Sequence, residues 1–258
     1  MNSRDREIRV LGVESGRLAK EDAEGYIDFL RAGVLDNHDH NLLVLPEKWV
    51  AENISGDEYD HIVSGFSDIS SAYGSTIVPG SFAVETDPGK WKNISPVIDR
   101  GHVLGTQAKV SLFMHERNSL SPGTRIETFS ALGTTLAVEI CYDIDFPYFT
   151  KVAVRRGASV VVNPSLIHRD FHDMWHLYVT SRSLENRVPV ISINSSSPDF
   201  AGDSIAVVPY LHEWGVKLRT YRSSGGILEA TINVGEVSEL ARKREAEDPG
   251  VYSLNGEK

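Results

Sequence analysis

The sequence predicts an α/β fold, an α-β-β-α sandwich in which two mixed sheets meet inside and helices cover their outer faces. Segments of β-branched and aliphatic residues alternate along the chain with segments whose apolar residues recur at helical spacing, which is typical of α/β proteins. The strand-like segments are also too numerous for one sheet. The alternation contains no internal repeat and no linker rich in Gly, Pro or Ser. We therefore expect residues 1–258 to form a single domain, with 249–258 as a C-terminal tail.

The first elements form a strand–helix–strand unit. Residues 7–13 (EIRVLGV) have the aliphatic content of a strand, and residues 19–35 carry apolar residues at helical spacing. Residues 41–45 (NLLVL) form a short apolar strand that ends before Pro46 and Glu47. This spacing is typical of a βαβ unit.

The middle of the chain is predicted to contain a helix and several more strands. Residues 57–73 favour a helix, and residues 75–84 favour a strand that is interrupted by Pro79-Gly80. Residues 91–112 indicate a hairpin, because glycines separate their alternating segments. The polar residues 115–123 predict a loop.

The second half of the chain is organised around a buried strand at residues 134–140 (TTLAVEI). The strand signal stops at Cys141, Asp143 and Asp145 mark a turn, and the pattern becomes helical after Pro147. The remaining predicted elements are, in chain order, a helix at 148–156, a strand at 158–162 closed by Asn163-Pro164-Ser165, a helix at 171–187, a strand at 188–194, sheet-edge strands at 204–208 and 226–234, and a charged helix at 236–245.

Composition excludes several classes of partner. The formal net charge is −10 and no basic run occurs, so nucleic acid and anionic membrane surfaces are poor partners. No apolar run approaches the ~20 residues of a membrane span. The first ten residues lack an apolar core, so we expect no signal peptide. A single cysteine fits a reducing cytoplasm, and the charge balance is compatible with a small neutral substrate.

That single cysteine, Cys141, lies where a buried strand gives way to a turn and then to a helix. Ligands of open α/β sheets bind outside the carboxyl ends of strands, and a helix N-terminus favours a thiolate. The alternative is that Cys141 is a small buried hydrophobic residue with a packing role only.

Two further strand ends carry reactive side chains, Glu47 and Lys109. A thiol that attacks a carbonyl or nitrile carbon needs a base for its proton, a charge beside the developing oxyanion and an acid for the leaving amine. A carboxylate and an ammonium group supply all three. Alternatively, Glu47 complements a helix dipole and Lys109 is a solvated surface lysine, because their spacing is not a local motif.

The chain resembles the nitrilase superfamily, the carbon–nitrogen hydrolases, in three sequence blocks that occur in the order of the family. LLVLPE resembles the block that ends in the base glutamate, KVSLFMHE the lysine block, and VEICYDIDFP the nucleophile block. The segments 152–165, 175–194, 203–209 and 226–237 also resemble the family, so the resemblance extends over nearly the whole chain.

The resemblance implies a nitrilase-like α-β-β-α sandwich and a catalytic triad of Glu47, Lys109 and Cys141. It further implies that Glu116 is an accessory glutamate that helps to position substrate, and that the backbone N–H of Tyr142 shares the oxyanion with Lys109. We include Ser165 as a third candidate substrate-binding residue. The family block often continues Phe-Pro-Glu, whereas this chain has Tyr148 after Phe-Pro, a departure that bears on the substrate more than on the mechanism.

Neither a metal nor an organic cofactor is expected. His168, His172 and His176 recur every four residues, a spacing that can hold a metal on one helix face, but the family resemblance offers no metal. We interpret these histidines as structural or pocket-lining residues. Neither Gly-rich phosphate-binding motif occurs.

The leading hypothesis is a cytoplasmic amidase that hydrolyses a small carboxamide to a carboxylic acid and ammonia through a thioester on Cys141. The alternatives are a nitrilase, an N-carbamoyl amide hydrolase, or a non-catalytic small-molecule-binding sandwich protein. The resemblance also implies a homodimer or a higher oligomer. We expect its interface to involve the helix that begins near Pro147, the helix at 171–187, and the tail residues 248–254.

Overall fold

The computed structural model describes residues 6–248. The predicted C-terminal tail lies outside the described residues, as do the first five residues of the segment on which the expected absence of a signal peptide depends. Most of the predicted hydrophobic segments lie within the described part, where they form two sheets and five longer helices.

The first sheet has the strand order β13-β1-β2-β3-β5-β4, and β6 pairs with β5. Strands β1, β2 and β3 run parallel and the other pairings are antiparallel, so the sheet is mixed. The parallel pairing of β1 with β2 confirms the predicted βαβ unit. The strands are β1 (Glu7–Val13), β2 (Leu42–Val44), β3 (Thr76–Val78), β4 (Phe82–Asp87), β5 (Lys90–Asp99), β6 (His102–Ala108) and β13 (Ile227–Asn233).

The second sheet has the order β12-β11-β10-β9-β8-β7. Its three central strands β8, β9 and β10 run parallel, and antiparallel strands flank them on both sides. The strands are β7 (Phe129–Ala131), β8 (Thr134–Val138), β9 (Val160–Ser165), β10 (Val190–Asn194), β11 (Ile205–His212) and β12 (Gly215–Arg222).

Side chains of the central strands point alternately to the inner and the outer face of each sheet, and so contribute to two packed layers. In β8, Leu136 and Val138 join the core between the sheets, where they meet Leu42 and Val44 of β2, whereas Ala137 packs outward in a separate cluster. Successive side chains of a strand point to opposite faces, so a wholly apolar strand serves two cores.

Helices cover both outer faces. Leu43 of β2 packs outward against Ile27 and Phe66, which belong to the two helices on the first sheet. Ala137 of β8 packs in the same way against Ala153, on the second sheet. The fold is therefore the predicted α-β-β-α sandwich of two mixed sheets. The helices are α1 (Ala23–Phe29), α2 (Gly56–Tyr73), α3 (Pro147–Arg155), α4 (His172–Asn186) and α5 (Val234–Glu247).

Helix α2 begins and ends where its sequence indicates. Ser55 and Glu58 form a capping box at its N-terminus, and Gly74 ends it in the left-handed conformation at φ 62°. The helix predicted over 19–35 is instead divided into a 3₁₀ turn, α1, a wide π turn at Leu30–Val34 and a further 3₁₀ turn. Gly25 and Gly33 lie within this stretch, and glycine weakens a regular helix.

Other element predictions were also wrong in part. The prediction missed β7, which has only three residues, and β12, whose lysine and arginines alternate with apolar residues on an exposed strand. Because β12 is present, the strand predicted at 204–208 lies inside the sheet and not at its edge. Asn163, Pro164 and Ser165 continue β9 through parallel pairing with β10 and do not close it. The predicted hairpin ends at Ala108, and the loop that follows contains a 3₁₀ turn, Met114–Asn118.

Candidate active site

The two sheets bring the three predicted reactive side chains to one point. Glu47 follows β2, Lys109 follows β6, and Cys141 opens a 3₁₀ turn, Cys141–Asp145, after β8. Lys109 Nζ lies 2.8 Å from Glu47 Oε1, and the Glu47 side chain is hydrogen-bonded to the Cys141 thiol. All three side chains are buried, with relative exposures of 3%, 2% and 6% for Glu47, Lys109 and Cys141. Lys109 is therefore not a surface lysine.

Glu47 is fixed by contacts at both its side chain and its backbone. The amide of Asn93 on β5 donates to Glu47 Oε1 at 2.7 Å, the same oxygen that contacts Lys109. The backbone N–H of Glu47 donates to the carbonyl of Ser165 at 3.3 Å and thereby joins the ends of the two sheets. The carboxylate is thus held in one orientation beside the thiol.

Lys109 keeps its positive charge although it is buried. Burial alone would lower the pKa of its ammonium group, but Glu47, the Cys141 sulfur and Glu116 raise that pKa above its ordinary value. Glu116 Oε2 lies 2.9 Å from Lys109 Nζ. A charge enclosed in this way cannot reorient toward solvent, so the site holds a fixed cation next to the thiol.

Glu116 bridges two lysines. Its other oxygen, Oε1, contacts Lys48 Nζ at 2.8 Å, and Oε2 also accepts the backbone N–H of Phe113 at 2.9 Å. Burial raises the pKa of the Glu116 carboxyl, but Lys109 and Lys48 together lower it to about 2. The carboxylate is therefore ionised throughout the neutral pH range.

The Cys141 backbone adopts the left-handed conformation at φ 43°, which is unusual for a residue other than glycine. Burial raises the pKa of the thiol well above its ordinary value, and the charge on Glu47 raises it further, whereas Lys109 and a hydrogen bond from the Leu166 N–H oppose the shift. The thiol is consequently protonated at rest, and a carboxylate that can accept its proton is already in contact with it.

Asp143 joins the turn Cys141–Asp145, the predicted nucleophile turn, to the segment that carries Lys109. Its carboxylate accepts the N–H groups of Ile140 at 3.2 Å, of Val110 at 3.1 Å and of Ser111 at 2.5 Å. Burial raises the pKa of the Asp143 carboxyl, these N–H groups and Lys109 oppose the shift, and the resulting pKa is about 7. Sequence reasoning treated Asp143 as a turn residue only.

Arg182 on α4 supports the same turn from the opposite side. Its Nε donates to the Ile144 carbonyl at 2.9 Å and its Nη2 donates to the Asp145 carbonyl at 3.0 Å. The guanidinium group is almost completely buried and also contacts Glu185. Sequence reasoning missed this residue, because its partners lie 37 and 38 positions away in the chain.

Ser165 lies beside the site without facing the cavity. Its hydroxyl donates to Asn163 Oδ1 at 2.5 Å and shares a hydrogen bond with Ser192 at 2.9 Å. The amide of Asn163 in turn donates to the Cys141 carbonyl at 3.3 Å. The hydroxyl of Ser165 thus belongs to a buried network behind Cys141, and its carbonyl accepts the backbone N–H of Glu47.

A cavity of about 450 Å³ opens at Cys141. The ring of Tyr142 forms part of its wall and packs edge-to-face against Phe113 at 5.0 Å between centroids. The cavity is lined by Phe113, Cys141, Tyr142, Asp145, Leu166, Ile167, His168, Phe171, Met174, Trp175, Tyr178 and Phe200. A larger cleft of about 830 Å³ lies at the opposite ends of the strands, and none of the reactive side chains lines it.

The predicted histidine row is divided between two elements. His172 and His176 share a face of α4, with ring centroids 6.3 Å apart, whereas His168 precedes the helix. His176 Nε2 contacts the Asp203 carbonyl at 2.9 Å, and His172 Nε2 contacts the Ile167 carbonyl at 3.2 Å. Within residues 6–248, no group of three or more His, Cys, Asp or Glu side chains is arranged to hold a metal ion.

Comparison with known proteins assigns the family. Residues 29–242 match the model of the family described as carbon-nitrogen hydrolase, and none of the helices in the described part of the chain has the length and apolar character to cross a membrane. A 2-oxoglutaramate amidase from Bacillus subtilis is 28% identical over 213 residues, which are 78% of this chain and 81% of that protein. Omega-amidase NIT3 from Saccharomyces cerevisiae is 28% identical over 210 residues, 70% of this chain and 72% of that protein.

The fold comparison agrees with the sequence comparison. The crystal structure of a carbon-nitrogen hydrolase from Helicobacter pylori G27 superposes with a TM-score of 0.82 over 98% of each chain, at 17% identity. Since the family match extends over most of the chain, this protein belongs to the carbon–nitrogen hydrolase family of the nitrilase superfamily.

Proposed function

We propose that the protein is an amidase that hydrolyses a small carboxamide to a carboxylic acid and ammonia, with Cys141 as nucleophile. The contact of one carboxylate, that of Glu47, with both the Cys141 thiol and the Lys109 ammonium group is the observation that carries the proposal. The names of the two relatives, a 2-oxoglutaramate amidase and an omega-amidase, support the same reaction class.

In the first half of the reaction, Glu47 accepts the thiol proton while the sulfur of Cys141 attacks the amide carbon. A C–S bond forms, and the carbonyl oxygen becomes an oxyanion. The Lys109 ammonium group and the backbone N–H of Tyr142 stabilise this charge, which is how a fixed cation lowers such a barrier. The high pKa of the thiol makes the base essential, because little thiolate exists without it.

In the second half, Glu47 returns its proton to the leaving nitrogen. The C–N bond breaks, ammonia departs and a thioester remains on Cys141. Glu47 then takes a proton from water, the hydroxide attacks the thioester, and the acid is released as the thiol regains its proton. One water is consumed for each amide, and no external acid or base is needed.

Glu116 and Ser165 take indirect parts in this mechanism. Glu116 stays ionised and fixes the position of the Lys109 ammonium group through a 2.9 Å contact. Ser165 acts through its carbonyl, which holds the Glu47 backbone, and not through its hydroxyl.

The test is ammonia release by the purified chain over a panel of small amides. The native protein is expected to release ammonia, and Cys141→Ala is expected to lose all turnover, because no other cysteine exists in the sequence. Mass spectrometry of the native protein after rapid acid quench is expected to detect an acyl adduct on the Cys141 peptide. Turnover of Cys141→Ala near the native rate would rule the proposal out.

Glu47→Gln separates the role of the base from that of the nucleophile. Glutamine keeps the size of the side chain but cannot accept the thiol proton, so formation of the acyl-enzyme should slow by at least about 10². Its matched control is Glu85→Gln, an exchange on the partly exposed strand β4. Equal single-turnover rates for Glu47→Gln and the native protein would remove Glu47 from the reaction.

A further inference from the structure

The cavity at Cys141 has an unusual balance of charge. Asp145 is the acidic residue in its wall, and neither lysine nor arginine is among the residues that line it. The two lysines nearest to the nucleophile are both occupied: Lys109 contacts Glu47 and Glu116, and Lys48 contacts Glu116. An anionic group at the far end of an acyl chain would therefore find neither lysine nor arginine among the residues that line this cavity.

Asp145 also retains capacity to bind a ligand. It is half-buried at the end of the nucleophile turn, and the hydroxyl of Tyr178 donates to its carboxylate. Arg182 donates to the backbone carbonyl of Asp145 and forms an ion pair with Glu185. Burial raises the pKa of the Asp145 carboxyl, and Tyr178 and the charge of Arg182 oppose this shift and favour the carboxylate. A carboxylate can accept about four hydrogen bonds, so Asp145, which lines the cavity, has acceptor capacity beyond the bond from Tyr178.

The rest of the wall is mainly aromatic and aliphatic. The indole N–H of Trp175 is already bonded to Ser192 at 2.9 Å, so Trp175 offers its ring to the cavity and not its polar atom. The ring of His168 packs edge-to-face against Phe171 and Phe200 in this wall. Aromatic faces around one carboxylate form a chemical environment that attracts an organic cation.

We propose that this cavity selects carboxamides whose acyl chain is apolar and ends in an ammonium group, and that Asp145 receives this group. The proposal rests on the proposed amidase function and adds the substrate class. It sets this chain apart from the Bacillus subtilis relative, whose named substrate, 2-oxoglutaramate, carries a carboxylate. A carboxylate in the same place would face Asp145 with a like charge, which costs binding energy in a poorly hydrated site.

Three amides with five carbons each test the proposal: 5-aminopentanamide, pentanamide and glutaramate, which end in an ammonium group, a methyl group and a carboxylate. For the native protein we expect kcat/KM to fall by about tenfold or more from the cation to the neutral amide, and again to the anion. Glutaramate hydrolysed as fast as pentanamide, or 5-aminopentanamide no faster than pentanamide, would overturn the proposal.

Two isosteric variants locate the effect. Asp145→Asn should lower the ratio of kcat/KM for 5-aminopentanamide to that for pentanamide by about tenfold, since it removes the charge but keeps an acceptor for Tyr178. Asp173→Asn makes the same change of charge at an exposed position near the start of α4, outside the cavity wall, and should leave the ratio unchanged. A ratio that falls equally in both variants would point to long-range charge and overturn the role of Asp145.

Calorimetry on Cys141→Ala keeps this test separate from the test of the amidase reaction. If that variant binds 5-aminopentanamide more tightly than pentanamide, and glutaramate least, the substrate class holds even if the native protein hydrolyses none of the three. If the native protein hydrolyses glutaramate best, the amidase function stands and the selectivity is wrong. Binding of the three amides with equal affinity would also overturn the proposal.

Discussion

Lys109 is the residue on which the charge balance of the site depends. It lies between Glu47 and Glu116 at 2.8 and 2.9 Å, so the two carboxylates hold one ammonium group from both sides. The arrangement is polar, buried and fully paired, which is the condition under which charged groups are tolerated in a protein interior. It leaves the ammonium group ordered before any substrate arrives.

Replacing Lys109 with methionine should lower kcat by about 10²–10³, because a fixed donor to the oxyanion is lost. Lys48→Met is the matched control, since Lys48 contacts Glu116 but neither Glu47 nor Cys141, and we expect a much smaller effect. Thermal unfolding of both variants verifies that they are folded at the assay temperature. Equal kcat values for the two variants would show that Lys109 does not stabilise the oxyanion.

Glu139, two residues before the nucleophile, gives the molecule a pH-dependent stability. Its side chain is fully buried; burial and the charge of Asp143 raise its pKa from 4.5 to about 8, and a hydrogen bond from Thr150 opposes the shift. Between pH 4.5 and about 8, Glu139 is protonated in the folded chain but has released its proton in the unfolded chain. The stability contributed by Glu139 is therefore lost as pH rises from 4.5 toward 8.

Glu139→Gln removes this titration. Relative to the native protein, the free energy of unfolding of Glu139→Gln should increase by about 1.4 kcal/mol for each pH unit across that window. Chemical denaturation at several pH values measures the difference. Glu213→Gln, on an exposed turn, is the matched control and should have no such slope. A pH-independent difference for Glu139→Gln would mean that this carboxyl is not protonated in the folded state.

At the scale of elements, the sequence correctly predicted those helices and strands that depend mainly on residues close together in the chain. The apolar content of β8 and β9 and the helical pattern of residues 57–73 are local features, and the corresponding elements were confirmed. Strand β12 was missed because its alternating charged residues resemble a loop until its partner β11 is known. Long-range pairing decides such elements, and a single sequence does not contain it.

The residues of the candidate site likewise include some that the sequence predicted and some that it did not. Glu47, Lys109 and Cys141 were predicted from blocks of sequence that resemble a family, and the two sheets bring these residues into contact. Asp143 and Arg182 were missed as supports of the site, because each contacts a backbone group more than 30 residues away: Asp143 accepts the Ser111 N–H, and Arg182 donates to the Ile144 carbonyl. Their roles are visible only in the three-dimensional structure, where Asp143 and Arg182 join the turn at 141–145 to distant parts of the chain.

The nucleophile turn depends on α4 through Arg182. Arg182→Lys keeps the charge but loses the planar fork that reaches two carbonyls, so the turn should lose one of its two anchors. We expect the second-order rate constant of Cys141 alkylation by iodoacetamide and the kcat for amide hydrolysis both to fall by about tenfold. Arg187→Lys, at the exposed pair with Glu247, is the control. An unchanged alkylation rate in Arg182→Lys would separate Arg182 from the nucleophile.

At the scale of the whole molecule, the two sheets have separate tasks. The first sheet supplies the carboxylate and the ammonium group, and the second supplies the thiol and most of the cavity wall through the turn after β8 and through α4. The site therefore exists only where the sheets meet, and the inter-sheet core of Leu42, Val44, Leu136 and Val138 fixes its geometry. A densely packed core of this kind resists small displacements.

The outer faces of α3 and α4 are the surface on which we expect a second copy to pack. They expose Tyr148 at 75%, Leu177 at 67% and Leu184 at 52%, although large apolar side chains on one face are usually covered. A pair of such faces related by a twofold axis would bury these residues on both copies. The prediction is therefore a homodimer of about twice 28.5 kDa in solution at micromolar concentration.

Light scattering coupled to size exclusion measures this mass directly. Leu177→Glu should convert the dimer to a monomer, because it places two carboxylates in an apolar contact, each at a cost of several kcal/mol. Leu211→Glu changes another exposed leucine, on β11 and away from this face, and should leave the dimer intact. Because α4 also holds the nucleophile turn through Arg182, the monomeric variant should lose part of its amidase activity. A native protein that is monomeric and fully active would remove both the dimer and its support of the site.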